Sequence, residues 1–370
     1  MNKPYSTLFL LALAIALAVG CVFLQEQAAA LKSAEAEEVY HPELRDAYNA
    51  FGLPNQQSLS NRKLFEGNGI ALYPDRVLRL DTYPAGGAQY AAETAAAVLE
   101  YAPELEAFYI LPIPERAVLE ADFPEKTAEY KAFVEELKTC AGGGVTVLDP
   151  LPELLAHQDE YIHFRTENSW TMRGAFYGAQ VFRRALGYED ESLDAYRVYV
   201  FGRFLGGLNT EAQSLLGDSE WSKIIADMEG DPFFIHIKGD DPNRQQLTFE
   251  NSTGEMETIA CSTIQMNSIG PSAVIGSNYC HSIVEGKGEG SLILIADSSG
   301  QMLISYLTDL YGKIYIVNAH ADRDFMQDLN TICSSLDVHQ VLWAQRGFRV
   351  GNRSYMKALN PFMQKGGGGG

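Results

Sequence analysis

Apolar residues fall along this chain in two kinds of block. Runs at Phe108–Leu111, Val145–Leu148, Leu292–Ile295, Lys313–Val317 and Val338–Trp343 are too short for helices and read as buried strands. Lys126–Leu137, Thr171–Leu186, Gly300–Leu310 and Arg323–Ser334 carry apolar residues at helical spacing. Tyr161–Arg165 reads as a further strand. The blocks alternate with short connections, most clearly in the βαβαβ pattern from 292 to 343. This predicts an α/β fold with a parallel, flavodoxin-type sheet flanked by helices, in which strands 292–295, 314–317 and 338–343 are parallel neighbours.

The stretch from about 188 to 288 breaks the pattern. It is rich in Gly, Asp and Asn, with strand-like pieces at Phe233–Ile237, Gln246–Phe249 and Glu257–Ile259. It reads as a β-rich lid or subdomain inserted into a domain spanning 65–350. Residues 25–64 read as a stalk or linker, Ala- and Glu-rich at its start, and 351–370 as a tail ending in five glycines.

Ahead of the stalk, Thr7–Leu24 carries no charge. As a helix it would extend about 27 Å, close to the roughly 30 Å of a bilayer's hydrocarbon core. Lys3 precedes it, and Glu26, Glu35, Glu37 and Glu38 follow. The positive-inside rule then leaves the short N-terminus in the cytoplasm and the bulk of the chain outside the cell membrane. We read 1–24 as an uncleaved signal-anchor. A cleaved signal peptide, or a lipoprotein attached at Cys21 of Ala18-Val19-Gly20-Cys21, are the alternatives.

Composition narrows the choice of partners. The chain is 46% hydrophobic and 11% aromatic, enough for a full core, and 28 Lys and Arg against 48 Asp and Glu leave a net charge of −20. Such a surface repels nucleic acid and anionic headgroups. Beyond Cys21, Cys140, Cys261, Cys280 and Cys333 allow three pairings, Cys261 with Cys280 among them. There is no C-x-x-C, and the histidines lack ligand spacing, so no metal or cofactor is implied.

Two segments can carry chemistry. In Leu292-Ile-Leu-Ile-Ala-Asp297-Ser298-Ser299-Gly300 a buried strand runs into a small-residue turn that opens a helix. A serine there sits at the carboxyl end of a parallel strand, where open α/β sheets place ligands, and helix amides can stabilise an anion. Asp and Ser are equally the residues that cap helices. The second segment is Tyr161-Ile-His163-Phe-Arg165-Thr-Glu167-Asn-Ser169-Trp170-Thr-Met-Arg-Gly174-Ala175-Phe-Tyr177. By itself it predicts a strand, a polar corner and a helix, with Trp170 and Tyr177 either in the core or stacked on a sugar.

Together the segments resemble the DHHW family, whose pattern is roughly Tyr-x-Arg-Thr-Asp-His-His-Trp-Thr-x-x-Gly-Ala-x-Tyr. Arg165, Thr166, Trp170, Thr171, Gly174, Ala175 and Tyr177 fall in place, and Asp297-Ser298-Ser299-Gly300 resembles the family's second block. The family is similar to the SGNH-hydrolase-like proteins of alginate O-acetylation. The resemblance implies an SGNH-like fold and a Ser-His-Asp triad acting on acyl esters of cell-surface polysaccharide, with Ser298 as nucleophile and Trp170, Arg165, Asp297 and Tyr177 around the ligand. This chain departs at the motif itself: Glu167 stands at the Asp position, Asn168 at the first His and Ser169 at the catalytic His. Serine cannot act as a base near neutral pH. His163, placed about 20 Å back along an extended strand, His320 and His281 are the substitutes to consider, with His281 expected at the far end of the nucleophile strand.

Three functions follow. The first is a catalytically impaired relative that binds a cell-surface polysaccharide or an envelope protein. The second is an active esterase or O-acetyltransferase with a non-standard base. The third is a structural envelope protein. The first two require Ser298 and the Glu167–Ser169 corner to converge.

Overall fold

The computed structural model describes residues 59–217, 219–238, 245–250, 256–261, 281–318, 325–355 and 359. The anchor at 1–24, Cys280 with its proposed pairing, and His320 lie outside the described residues. No helix among the described residues is long and apolar enough to cross a membrane.

A small antiparallel sheet comes first: β1 (Phe65–Gly67), β2 (Ile70–Leu72) and β3 (Val77–Arg79). Next come α1 (Gly87–Tyr101), β4 (Ala107–Ile113), the short α2 (Arg116–Leu119), α3 (Pro124–Cys140), β5 (Val145–Val147), α4 (Leu151–Ala156) and α5 (Met172–Ala185). The β-rich stretch holds β6 (Tyr196–Phe204), α6 (Gly207–Leu216), α7 (Glu220–Ala226), β7 (Asp231–Lys238), β8 (Gln245–Glu250), β9 (Met256–Cys261) and β10 (His281–Glu285). The closing half is β11 (Ser291–Ala296), α8 (Ser298–Gln301), α9 (Ile304–Leu307), β12 (Lys313–Asn318), α10 (Phe325–Leu336), β13 (Val338–Arg346) and α11 (Gly347–Val350).

Eight strands form the central sheet in the order β5-β4-β13-β11-β12-β10-β8-β9. From β5 to β12 every pairing is parallel, and β11 lies between β12 and β13 as the sequence predicts. Strand geometry sends successive side chains to opposite faces, so these apolar strands feed two cores. Phe108, Ile110, Ile293, Ile295, Val341 and Trp343 face the core under α1, α3 and α10. Tyr109, Leu111, Leu292, Leu294, Leu342 and Ala344 face the one that holds Trp170, α5 and α9.

The inserted stretch divides. Among the described residues β6 and β7 pair only with each other, whereas β10, β8 and β9 extend the central sheet in antiparallel sense. α6 and α7 pack on the small N-terminal sheet through Leu208, Ala212 and Ile225. Two expectations need correction. Gly300–Leu310 is not one helix: amide bonds from Met302 to Ser299, Leu303 to Gly300 and Tyr306 to Leu303 tighten the chain between α8 and α9. Tyr161–Arg165 is not a strand. It folds back on itself, with a single bridge between His163 and Trp170 flanked by bonds from Phe164 N to Ser169 O (3.1 Å) and Thr171 N to Ile162 O (2.9 Å).

Trp170 closes the second core. Its ring lies against Gly178 so closely that a Cβ there would stand 2.4 Å from the indole. Gly178→Ala should therefore cost about 1–3 kcal/mol of unfolding free energy through overpacking, read by urea denaturation.

Candidate functional site

The carboxyl end of β11 delivers Asp297 and Ser298 to the sheet edge. Asp297 caps α8: its Oδ1 accepts from the amides of Ser299 (3.0 Å) and Gly300 (3.2 Å). Gly300 is obligatory, since a Cβ would lie 2.0 Å from the carbonyl oxygen of Ala344 on β13. Ser298 is half-buried at this turn.

The corner at 168–170 packs against the same turn. Trp170 Nε1 donates to Ser299 O (2.8 Å), and Ser169 Oγ approaches Met302 Sδ (3.8 Å) while donating to Trp170 O (3.2 Å). Arg346, at the end of β13, ties the two together: Nε donates to Asp297 Oδ2 (3.3 Å) and Nη1 to Asn168 O (3.2 Å). Residues about 130 apart in sequence thus meet at one sheet edge.

The corner is held by Asp231, the first residue of β7, which is wholly buried. Its carboxylate accepts from Tyr161 OH (2.7 Å), the amides of Arg165 (2.9 Å) and Thr166 (2.7 Å), Thr166 Oγ1 (2.6 Å) and Arg165 Nε (3.3 Å). Arg165 is therefore a structural partner of Asp231, 5% exposed, and not a ligand contact. Trp170 is 0% exposed and offers no face to a sugar. Tyr177 is buried too, stacked on His157 at 3.8 Å with its hydroxyl donating to Glu160 (2.8 Å). Glu167 turns to the start of α6, accepting from Gly207 N (2.5 Å) and Asn168 N (3.0 Å), where a helix terminus favours an anion.

The histidines are engaged elsewhere or differently placed. His163 folds back beside Trp170, not 20 Å away, but is buried; its Nε2 lies 3.0 Å from Pro114 O and so carries the proton. Burial, with Arg116 nearby, pushes its pKa down to about 4. His236 is buried with Nδ1 2.6 Å from Tyr306 OH, and burial holds it down to about 3. His281 is a correction of another kind. β10 runs antiparallel, which pairs His281 with Val317, and Val317 with Ile295. Its backbone therefore lies at the Ser298 end of the sheet, two strands from β11.

Residues the sequence does not flag complete this edge. Glu115, just past β4, is buried and accepts from Tyr83 OH (2.8 Å) and Phe348 N (3.2 Å). Burial pushes its carboxyl up to about 7, against the lowering effect of the Tyr83 hydrogen bond. Arg349 joins Arg346 on Asp297 Oδ2 (3.1 Å). Asp81 accepts from Arg79 (3.0 Å) and Asn168 (3.4 Å). The one available signal was Arg346-Gly-Phe-Arg349, two cations one helical turn apart just after a strand.

A mostly parallel sheet carrying a strand-turn-helix serine at its edge is the architecture of SGNH-hydrolase-like proteins. The DHHW resemblance holds as well: the family model of DHHW proteins matches residues 151–317, which include both segments. A DHHW family protein from Eubacterium siraeum superposes with a TM-score of 0.65 at 17% identity, over 80% of this chain and 96% of that one. PatB1 of Bacillus cereus, captured with a sulfonyl adduct, superposes with a TM-score of 0.60 at 13% identity, over 77% and 97%. At these identities the likeness is one of fold. No curated protein matches the sequence.

Two predictions follow from this geometry. Asp231→Ala leaves Arg165 and several donors buried without their acceptor, and should cost about 3–5 kcal/mol in denaturant unfolding. The second concerns pH. The depressed imidazoles of His163 and His236 bind protons in the unfolded chain before the folded one, so stability falls as pH drops from about 6.5 towards 4. Glu115 acts oppositely: its raised carboxyl favours the folded state at low pH, and that contribution is lost as pH rises towards 7. Glu115→Gln, which can still accept from Phe348 N and donate to Tyr83 OH, should steepen the acid loss by about one proton, roughly 1.4 kcal/mol per pH unit between about 4.5 and 7.

Proposed function

We propose that this chain is an extracytoplasmic SGNH-like protein of the cell envelope, held at the membrane by residues 7–24, that binds a glycan or envelope partner at the Ser298 edge and is impaired in acyl transfer. One observation carries the reading: the side chain beside the serine turn, at the family's histidine position, is Ser169. Its buried hydroxyl is spent on the carbonyl of Trp170 and has no basicity to offer Ser298. The carboxylate position is likewise diverted, because Glu167 caps α6. The serine turn and two arginines beside it are present at this edge, which supports a binding site.

A second reading, an active esterase with a non-standard base, is favoured by the register of β10, which brings the His281 backbone to the serine's edge of the sheet. The two separate cleanly by experiment. In triad enzymes, loss of one member leaves only about 10³–10⁴-fold catalysis over water. We expect purified protein to hydrolyse p-nitrophenyl acetate and acetylated xylan at rates that Ser298→Ala leaves within about threefold. An aryl sulfonyl fluoride should fail to label Ser298, by intact mass, and should label it in Glu167→Asp/Ser169→His. Ordinary turnover that Ser298→Ala and His281→Ala both abolish would overturn the impaired reading in favour of the second.

A further inference from the structure

Two guanidinium groups share one carboxylate oxygen beside Ser298. Arg346 Nε and Arg349 Nη1 lie 3.3 and 3.1 Å from Asp297 Oδ2. One arginine would neutralise Asp297; the second leaves a cation in surplus, in a chain whose net charge is −20. Such a pair is costly, since like charges in a half-buried place oppose one another. Burial, and then the neighbouring Arg346, push Arg349 below the ordinary arginine range.

The two are not equivalent. Arg346 is committed, to Asp297 on one side and Asn168 O on the other. Arg349 spends only Nη1. Its Nε is buried with no hydrogen-bond partner, while the side chain as a whole is 21% exposed. The guanidinium is held near two rings, Tyr355 at 4.7 Å and Phe348 at 5.7 Å, which restricts its rotation. A planar fork fixed in this way matches the paired oxygens of a carboxylate or phosphate. No other acid pairs directly with Arg349 among the described residues: Asp81, whose charge reaches it from farther off, hydrogen-bonds Arg79, which also pairs with Glu211, and Glu115 is turned to Tyr83 and the Phe348 amide.

We propose that Arg349, backed by Arg346, binds an anionic group, carboxylate or phosphate, carried by the glycan ligand next to Ser298. The inference rests on the glycan-binding reading above and names its ligand class: an acidic rather than a neutral polymer. It runs against the overall acidity of the chain, which disfavours anions everywhere except at such a local cluster. Asp297 and Ser298 are consecutive, so the arginine that would hold the anion is anchored at the residue before the serine.

The test is calorimetric binding of three probes to the full chain: oligogalacturonate, the same oligomer fully methyl-esterified, and a phosphorylated oligomannoside. Either acidic probe should bind at least about tenfold tighter than the ester, the scale of one hydrogen bond to a charged group, and the better of the two identifies the anion. Arg349→Gln should bring the ratio near one; Arg349→Lys, which keeps charge but loses the fork, serves if the glutamine variant does not fold and should lose most of the preference. Equal binding of acid and ester by the wild type overturns the inference while leaving glycan binding standing. So does a preference that survives both variants. If no oligosaccharide binds, the glycan reading fails, and inorganic phosphate decides the cation pair by itself: binding lost in Arg349→Gln upholds an anion site, and no binding to the wild type removes it.

Discussion

The buried carboxylate of Asp231 is the constraint on which the site depends. A loop that leaves the parallel sheet after α4 must present its backbone at the sheet edge without strand pairing to hold it. Five donor groups from Tyr161, Arg165 and Thr166 converge on this one side chain, which β7 brings in from the middle of the inserted stretch. Buried donors left without an acceptor are costly, so the loop has one well-satisfied conformation. That conformation sets where Asn168, Ser169 and Trp170 meet the serine turn. The insertion is therefore part of the site's foundation and not an ornament on it.

Much of the architecture is legible in the sequence, because each face of a doubly covered sheet needs apolar residues at every position. Runs such as Leu292–Ile295 and Val338–Trp343 have no other good environment. What stays hidden has definite causes. Strands of three residues, as in β1 to β3, carry too little periodicity to separate from loop. The segment Tyr161–Arg165 has strand composition, but its two ends, Tyr161 OH and Arg165 N, donate to Asp231, more than sixty residues away, a tertiary interaction that no local pattern encodes. The helix expected from Gly300 to Leu310 has a continuous apolar pattern, but tight turns at Met302 and Leu303 divide it.

The site divides in the same way. Asp297 and Ser298 follow from a strand running into small residues, and the contact between that turn and the 168–170 corner accords with the spacing of the two family segments. Trp170, Arg165 and Tyr177 fit the pattern equally well as ligand contacts or as core, and only burial distinguishes the two. His281 was misplaced because strand direction is not written locally: the same five residues read identically in a parallel or an antiparallel strand. Arg346 and Arg349 draw their meaning from Asp297, some fifty residues earlier.

Glu167 has a consequence for how such a chain can change over time. Its extra methylene, relative to the aspartate of the family pattern, carries the carboxylate to the first amide of α6. Once that amide relies on it, a change to aspartate releases a helix start. The departure from the DHHW pattern is thus tied to the fold: selection on stability alone would preserve glutamate at this position.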